Sequence, residues 1–146
     1  MSTSFLRSLR RGLLVAVAGV ALSACDEKLS DLTGPTPNLQ PTFSSIQSEI
    51  FTPRCAGCHT DVGRPAPMGL VLVDGRAYGN LVGVPARGRT GLVRVVPGDP
   101  ENSYLIHKVE GRGGISGQRM PFNGTPLTDG QILVMRRWIE LGAPNN

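Results

Sequence analysis

Cys55-Ala56-Gly57-Cys58-His59 packs two thiols and an imidazole into five residues. Spaced three apart on one helical turn, the two sulfurs face the same side of the chain. The histidine follows directly, so its ring can turn in beneath them. Three chemistries that use a C-x-x-C pair fit this chain poorly. A thioredoxin-like dithiol expects a strand before it and a βαβ context, but the segment before Cys55 has helical periodicity. A zinc site wants a second pair of ligands, and the only other Cys and His are Cys25 and His107. A structural disulfide between Cys55 and Cys58 would close a very small, strained loop.

A fourth chemistry uses all three side chains. C-x-x-C-H is the attachment signal of a c-type haem: Cys55 and Cys58 form thioethers to one porphyrin, and His59 becomes the proximal iron ligand. One such motif predicts one haem c. The cysteines are then accounted for, two by haem and Cys25 by a role at the N-terminus.

Working outward, Phe43, Ile46, Ile50 and Phe51 recur at helical spacing and predict one apolar helix face. Thr42 or Ser44 can cap that helix, and Pro53 marks its end just before Cys55. At the other end, Thr128-Asp129-Gly130-Gln131 predicts a capping box opening a helix through Leu141, stopped by Gly142 and Pro144. Ile132, Met135, Trp138 and Ile139 share its apolar face. A short helix is expected around 103–109. The 19 Gly and 12 Pro imply many turns between these few helices. Gly111-Arg112-Gly113-Gly114 lacks the Lys-Ser/Thr of a phosphate-binding loop and predicts a flexible surface loop.

A haem iron bound by His59 can take a second axial ligand. Met120, in Gln118-Arg119-Met120-Pro121, lies in a loop before the final helix and has the position expected of a distal thioether. Met135 falls on the final helix and is assigned to packing; Met68 lies close after the motif. His107 is the competing ligand, and its simpler reading is a partly exposed helical residue.

Residues 1–24 carry Arg7, Arg10 and Arg11 before a ten-residue apolar run, Leu13 to Leu22, and contain no Asp or Glu. Ten residues are too few to span a bilayer, which takes about 20 in a helix. The arrangement is that of a secretory signal. The junction Leu22-Ser23-Ala24-Cys25 resembles the lipobox of bacterial lipoproteins. That resemblance implies acylation of Cys25, export, and anchoring at the periplasmic face of the inner or outer membrane, since several acyl chains hold a protein firmly. Residues 25–41 are polar and contain Pro35, Pro37 and Pro41, which suits a linker. The remaining 42–146 is long enough for one domain. Removing the signal's three arginines takes the formal charge from +4 to +1. The other basic residues form no run, so a nucleic-acid partner is not expected.

From Phe43 to Pro144 the chain resembles the planctomycete-type cytochrome c domain of the cytochrome c superfamily. The shared pattern is Ile50-Phe51, Cys55-Ala56-Gly57-Cys58-His59, Gly69-Leu70-Val71-Leu72, Val96-Pro97-Gly98-Asp99-Pro100-Glu101-Asn102-Ser103-Tyr104-Leu105, Met120-Pro121 and Trp138-Ile139-Glu140-Leu141-Gly142-Ala143. The resemblance implies an all-α, class I cytochrome c-like fold around one haem, with Cys55 and Cys58 attached, His59 proximal and Met120 distal. One-electron transfer between redox donor and acceptor proteins is then expected. The alternatives are a peroxidase-like haem enzyme, which needs an open sixth site and a positioned acid or base, and a haem sensor in which a small molecule displaces Met120.

Overall fold

The structure, a computed structural model, describes residues 38–146. The expected signal segment, Cys25 and most of the linker lie outside the described residues. Leu39 falls in the stretch that composition assigns to the linker, yet it is only 2% exposed and belongs to the core. Packing thus begins before residue 42.

The first helix, α1, runs over 43–54 in three parts: an α-helical start Phe43–Ile46, a π-helical stretch Gln47–Phe51 and a final turn Thr52–Arg54. Thr42 caps it, its hydroxyl accepting from Ser45 N–H at 3.3 Å. Pro53 has no N–H to give and would crowd the carbonyl one α-turn back. The wider π spacing just before it relieves that conflict, and such bulges are frequent at functional sites. The helix stops at Arg54, immediately before Cys55. Phe43, Ile46, Ile50 and Phe51 are all buried, as their spacing requires.

Two short helices follow, α2 at Ala77–Leu81 and α3 at Tyr104–Glu110, and the last, α4, is Asp129–Glu140. Gly111 closes α3 in the left-handed region at φ 74°, where a side chain would be strained. The capping box of α4 forms in both directions: Gln131 N–H donates to the Thr128 hydroxyl at 3.2 Å, and Thr128 N–H donates to Gln131 Oε1 at 3.0 Å. A cap of this kind contributes about 1 kcal/mol. The other connections carry one 3-10 turn, Pro67–Gly69, and isolated β-bridges such as Val82 with Val95. Residues 70–73 form no strand among the described residues; Leu72 N–H donates to His59 O at 2.8 Å instead.

The two terminal helices meet through aromatic rings. Phe43 lies 5.6 Å from Trp138, 5.2 Å from Tyr78 and 6.2 Å from Phe51, measured between ring centroids. Edge and tilted contacts of this kind add about 0.5–1.5 kcal/mol to the burial itself. Trp138 is fully buried and donates its indole N–H to Pro144 O at 2.9 Å. The C-terminus is tied back to α1, since Ser44 N–H donates to Asn146 O at 2.8 Å.

On the surface, α3 and α4 are joined by a closed ring of charges. Arg112 bonds Glu101 at 2.7 Å and also pairs with Glu110; Arg136 bonds Glu110 at 3.0 Å and also pairs with Glu101. The hydrogen bond from Arg112, seconded by that from Arg136, pulls the Glu101 carboxyl down to about 2. A carboxylate with a depressed folded-state pKa stabilises the fold above its unfolded value of 4.5, and that contribution is lost as the pH falls through about 2. Glu101→Gln is therefore expected to lower the melting temperature at neutral pH, with the gap to the native protein closing below pH 4.5. The gap should also narrow in salt, because Glu101 is exposed. A gap that stays constant in thermal melts from pH 7 to pH 2 would rule the charge ring out as its cause.

Candidate functional site

Beyond Arg54 the backbone makes one further turn, with Cys58 N–H and His59 N–H both donating to Cys55 O at 3.1 and 2.8 Å. That turn brings Cys55, Cys58 and His59 into the wall of one cavity of about 520 Å³. A volume between about 300 and 1,000 Å³ is usual for a site that takes a small organic molecule. The walls are mostly apolar, with Ile50, Phe51, Leu72, Leu81, Leu105 and Leu127 contributing. Cys55 is half-buried, while Cys58, Met68 and Phe122 in the lining are exposed, so the cavity is open to solvent.

His59 is held by its own neighbour in the fold. Its Nδ1 lies 3.2 Å from Leu70 O. A carbonyl only accepts, so Nδ1 carries the proton and Nε2 keeps its lone pair, the arrangement found in metal-ligating histidines. Burial holds the imidazole below its usual pKa; the Leu70 carbonyl works against that, and the charges of Arg94 and Lys108 reinforce it. The neutral ring is the form that can ligate a metal.

The thiol of Cys55 is pushed up to about 11, first by burial, with Arg54 opposing and Cys58 adding to the rise. Dithiol redox motifs work by lowering a thiol pKa to make a reactive thiolate. Cys55 is displaced in the other direction. No group of three or more His, Cys, Asp or Glu among the described residues is arranged to hold a metal ion.

Met120 is half-buried and lines the same cavity as His59. So do Met68, which is 60% exposed, and Met135, which is fully buried in the core. Met135 thus packs as its place on α4 predicts and also borders the cavity. Met68 has its backbone in the left-handed region at φ 52°. His107 is not among the cavity's lining residues. It is half-buried on α3, its Nε2 sits 2.6 Å from Glu101 O, and its ring lies against Tyr104.

The charged lining escaped the sequence reading. Arg54, Arg64, Arg87, Arg94 and Lys108 line the cavity, and no Asp or Glu among the described residues does. Arg94 is the most telling of them at 6% exposed. Its guanidinium donates to Asn80 O at 2.7 Å and Met68 O at 2.9 Å, and both partners are neutral carbonyls. Burial, then the neighbouring charge of Arg87, lowers its pKa. A buried cation without a counter-ion is costly. A signal was present in the sequence: Leu92-Val93-Arg94-Val95-Val96 sets one charge inside an apolar run.

The lining as a set consists of two thiols on one turn, an imidazole with a free Nε2, thioether sulfurs, apolar walls and cations with no acidic partner among the described residues. These are the groups that an apolar macrocycle with a central metal and two peripheral carboxylates would engage, so the residues present fit haem c.

Compared with known proteins, the chain matches no family model, no curated protein and no solved structure. No helix among the described residues is long and apolar enough to cross a membrane.

Proposed function

We propose that this chain is an exported single-haem cytochrome of the c type, resembling planctomycete-type cytochrome c domains, that transfers one electron at a time between partner proteins. The observation that carries this reading is the turn after α1, which delivers Cys55, Cys58 and His59 together to a cavity that Met120 also lines. Haem c, when bound, supplies a one-electron iron couple, and everything else falls to the protein.

Cys55 and Cys58 would hold the macrocycle covalently through thioethers. His59 would hold the metal through Nε2, with Leu70 O fixing its ring through Nδ1. Met120, which lines the same cavity, would supply the metal's second protein ligand, and its thioether would raise the potential relative to a second nitrogen ligand. The apolar walls around Phe51, Leu72 and Leu105 exclude water, which also disfavours the more highly charged oxidised state. Arg94 and its neighbouring cations would offset the charge of the two carboxylates. With His59 and Met120 both holding the metal, no site would be left on it for a substrate, and the protein's task would be to keep the haem accessible to partners beside the exposed Cys58. Lipidation of Cys25 would keep the domain at a membrane surface.

The test is the visible spectrum of the purified, naturally matured protein, oxidised and then reduced. Sharp c-type bands on reduction and a weak long-wavelength sulfur-to-iron band on oxidation are expected. A high-spin spectrum that shifts at once with carbon monoxide would favour the enzyme or sensor alternatives, and a lack of haem absorbance would end the proposal.

A further inference from the structure

Met120 reaches the cavity on a segment with little rigidity of its own. Residues 111–120 contain four glycines, at 111, 113, 114 and 117, and form no helix. Glycine backbone has more freedom to lose than any other, so such a segment does not hold a ligand in place by itself. Its position must come from outside.

It comes from one face of α3. Lys108 Nζ donates to Ser116 O at 2.9 Å and also to Gln118 O. The backbone of the same residue is engaged as well, its carbonyl accepting from Met120 N–H at 2.8 Å. Ser116 N–H donates to the Tyr104 hydroxyl at 2.9 Å, and Arg119 Nε donates to Val109 O at 2.7 Å. Lys108 makes no ion pair among the described residues. Its charge is spent on two carbonyls of the strap, one of them two residues before Met120. Tyr104, Lys108 and Val109 line the cavity, and so do Ser116, Gln118 and Met120. The contact between α3 and the strap is therefore part of the cavity wall.

Resting on the proposed haem ligation, we infer that Lys108 is a positioning residue for the sixth ligand: its ammonium, with the Tyr104 hydroxyl, pins the 111–120 strap so that the Met120 sulfur is held at the iron. Without the pins the strap regains its freedom, and the entropy of reordering it is set against every sulfur–iron bond. Charge-assisted bonds of this kind have net strengths that correspond to roughly tenfold to hundredfold in an equilibrium constant. The chance of finding Met120 bound falls by that factor, and an added ligand competes more easily.

The experiment titrates the oxidised holoprotein with imidazole while following the sulfur-to-iron band. Lys108→Met, with covalent haem loading checked, is expected to bind imidazole roughly tenfold to hundredfold more tightly than the native protein. Lys108→Arg can still reach the two carbonyls and should return close to native affinity. Tyr104→Phe removes one neutral acceptor and should move the affinity the same way by about tenfold or less. Native affinity and a native band in Lys108→Met would overturn the inference while leaving the proposed function intact. If that variant does not fold, unchanged affinity in Tyr104→Phe overturns it equally. Native protein that loads haem but has no sulfur-to-iron band removes the ligand itself, and the proposed ligation fails together with this inference.

Discussion

Cys55→Ser/Cys58→Ser is expected to yield a protein that carries no covalent haem and does not hold its tertiary structure. The first half follows from bonding, because an alcohol does not form the thioether that a thiol forms. The second follows from where the cavity sits. Its walls are made by Ile50 and Phe51 of α1, Leu105 of α3 and Met135 of α4, so it lies between the elements that must pack to form the core. Cavities in protein cores cost about 24 cal/mol per Å³. Applied to 520 Å³, that rate sets an upper bound on the order of 12 kcal/mol, since this cavity opens to solvent. A domain's whole stability is typically about 5–15 kcal/mol. Even half the bound removes most of it, and the cations lining the cavity add to the cost.

Trp138 reports the outcome directly. It is the one tryptophan in the chain, and it is fully buried against Phe43 between the terminal helices. The doubly substituted protein should show no haem on a denaturing gel, red-shifted tryptophan emission, a featureless near-ultraviolet spectrum and no cooperative melt. Single substitutions should be milder, because on the proposed attachment one thioether would remain. A double variant that melts cooperatively, with Trp138 emission as in the native protein, would refute the claim that the core is built around a cofactor.

The sequence disclosed much of this arrangement because its strongest signals are local. The spacing of Phe43, Ile46, Ile50 and Phe51 and the Thr128/Gln131 capping box need only a few neighbouring residues to act, and both appear where the spacing puts them. The five residues around Cys58 are likewise one turn. Signals that depend on distant partners were silent. Arg94 lies 14 residues from Asn80 and 26 from Met68, yet both carbonyls meet its guanidinium. Lys108 gave no sign of gripping the strap, since its partners are backbone carbonyls that any residue would present. Leu39 reads as part of a Pro-rich linker until the core is seen to close over it. The π-helical stretch ahead of Pro53 was equally hidden: the proline announced a break, and the chain widened its turn and continued to Arg54.

Met120→Ala should convert a closed coordination sphere into an open one. Alanine has no sulfur to give and is too short to bring another donor. The oxidised protein should lose its long-wavelength band, and the reduced protein should bind carbon monoxide promptly where the native protein does not. The potential should fall, because a thioether favours the ferrous state and water does not. Axial ligands move haem potentials across about 0.8 V. A drop of at least about 0.1 V is expected here, which at about 59 mV per tenfold for one electron is a change of roughly fiftyfold in the redox equilibrium. Met120→Leu separates the sulfur from the packing, since it keeps the bulk of the half-buried side chain and should behave like the alanine variant in every spectroscopic measurement. The fold supplies the competitor that makes the experiment decisive. Met68 and Met135 line the same cavity, but Met135 is locked in the core at 0% exposed and Met68 is 60% exposed beside the carbonyl that holds Arg94. If Met120→Ala keeps the sulfur band and Met68→Ala loses it, the sixth ligand is Met68. The 111–120 strap would then be a wall of the site and not its ligand arm.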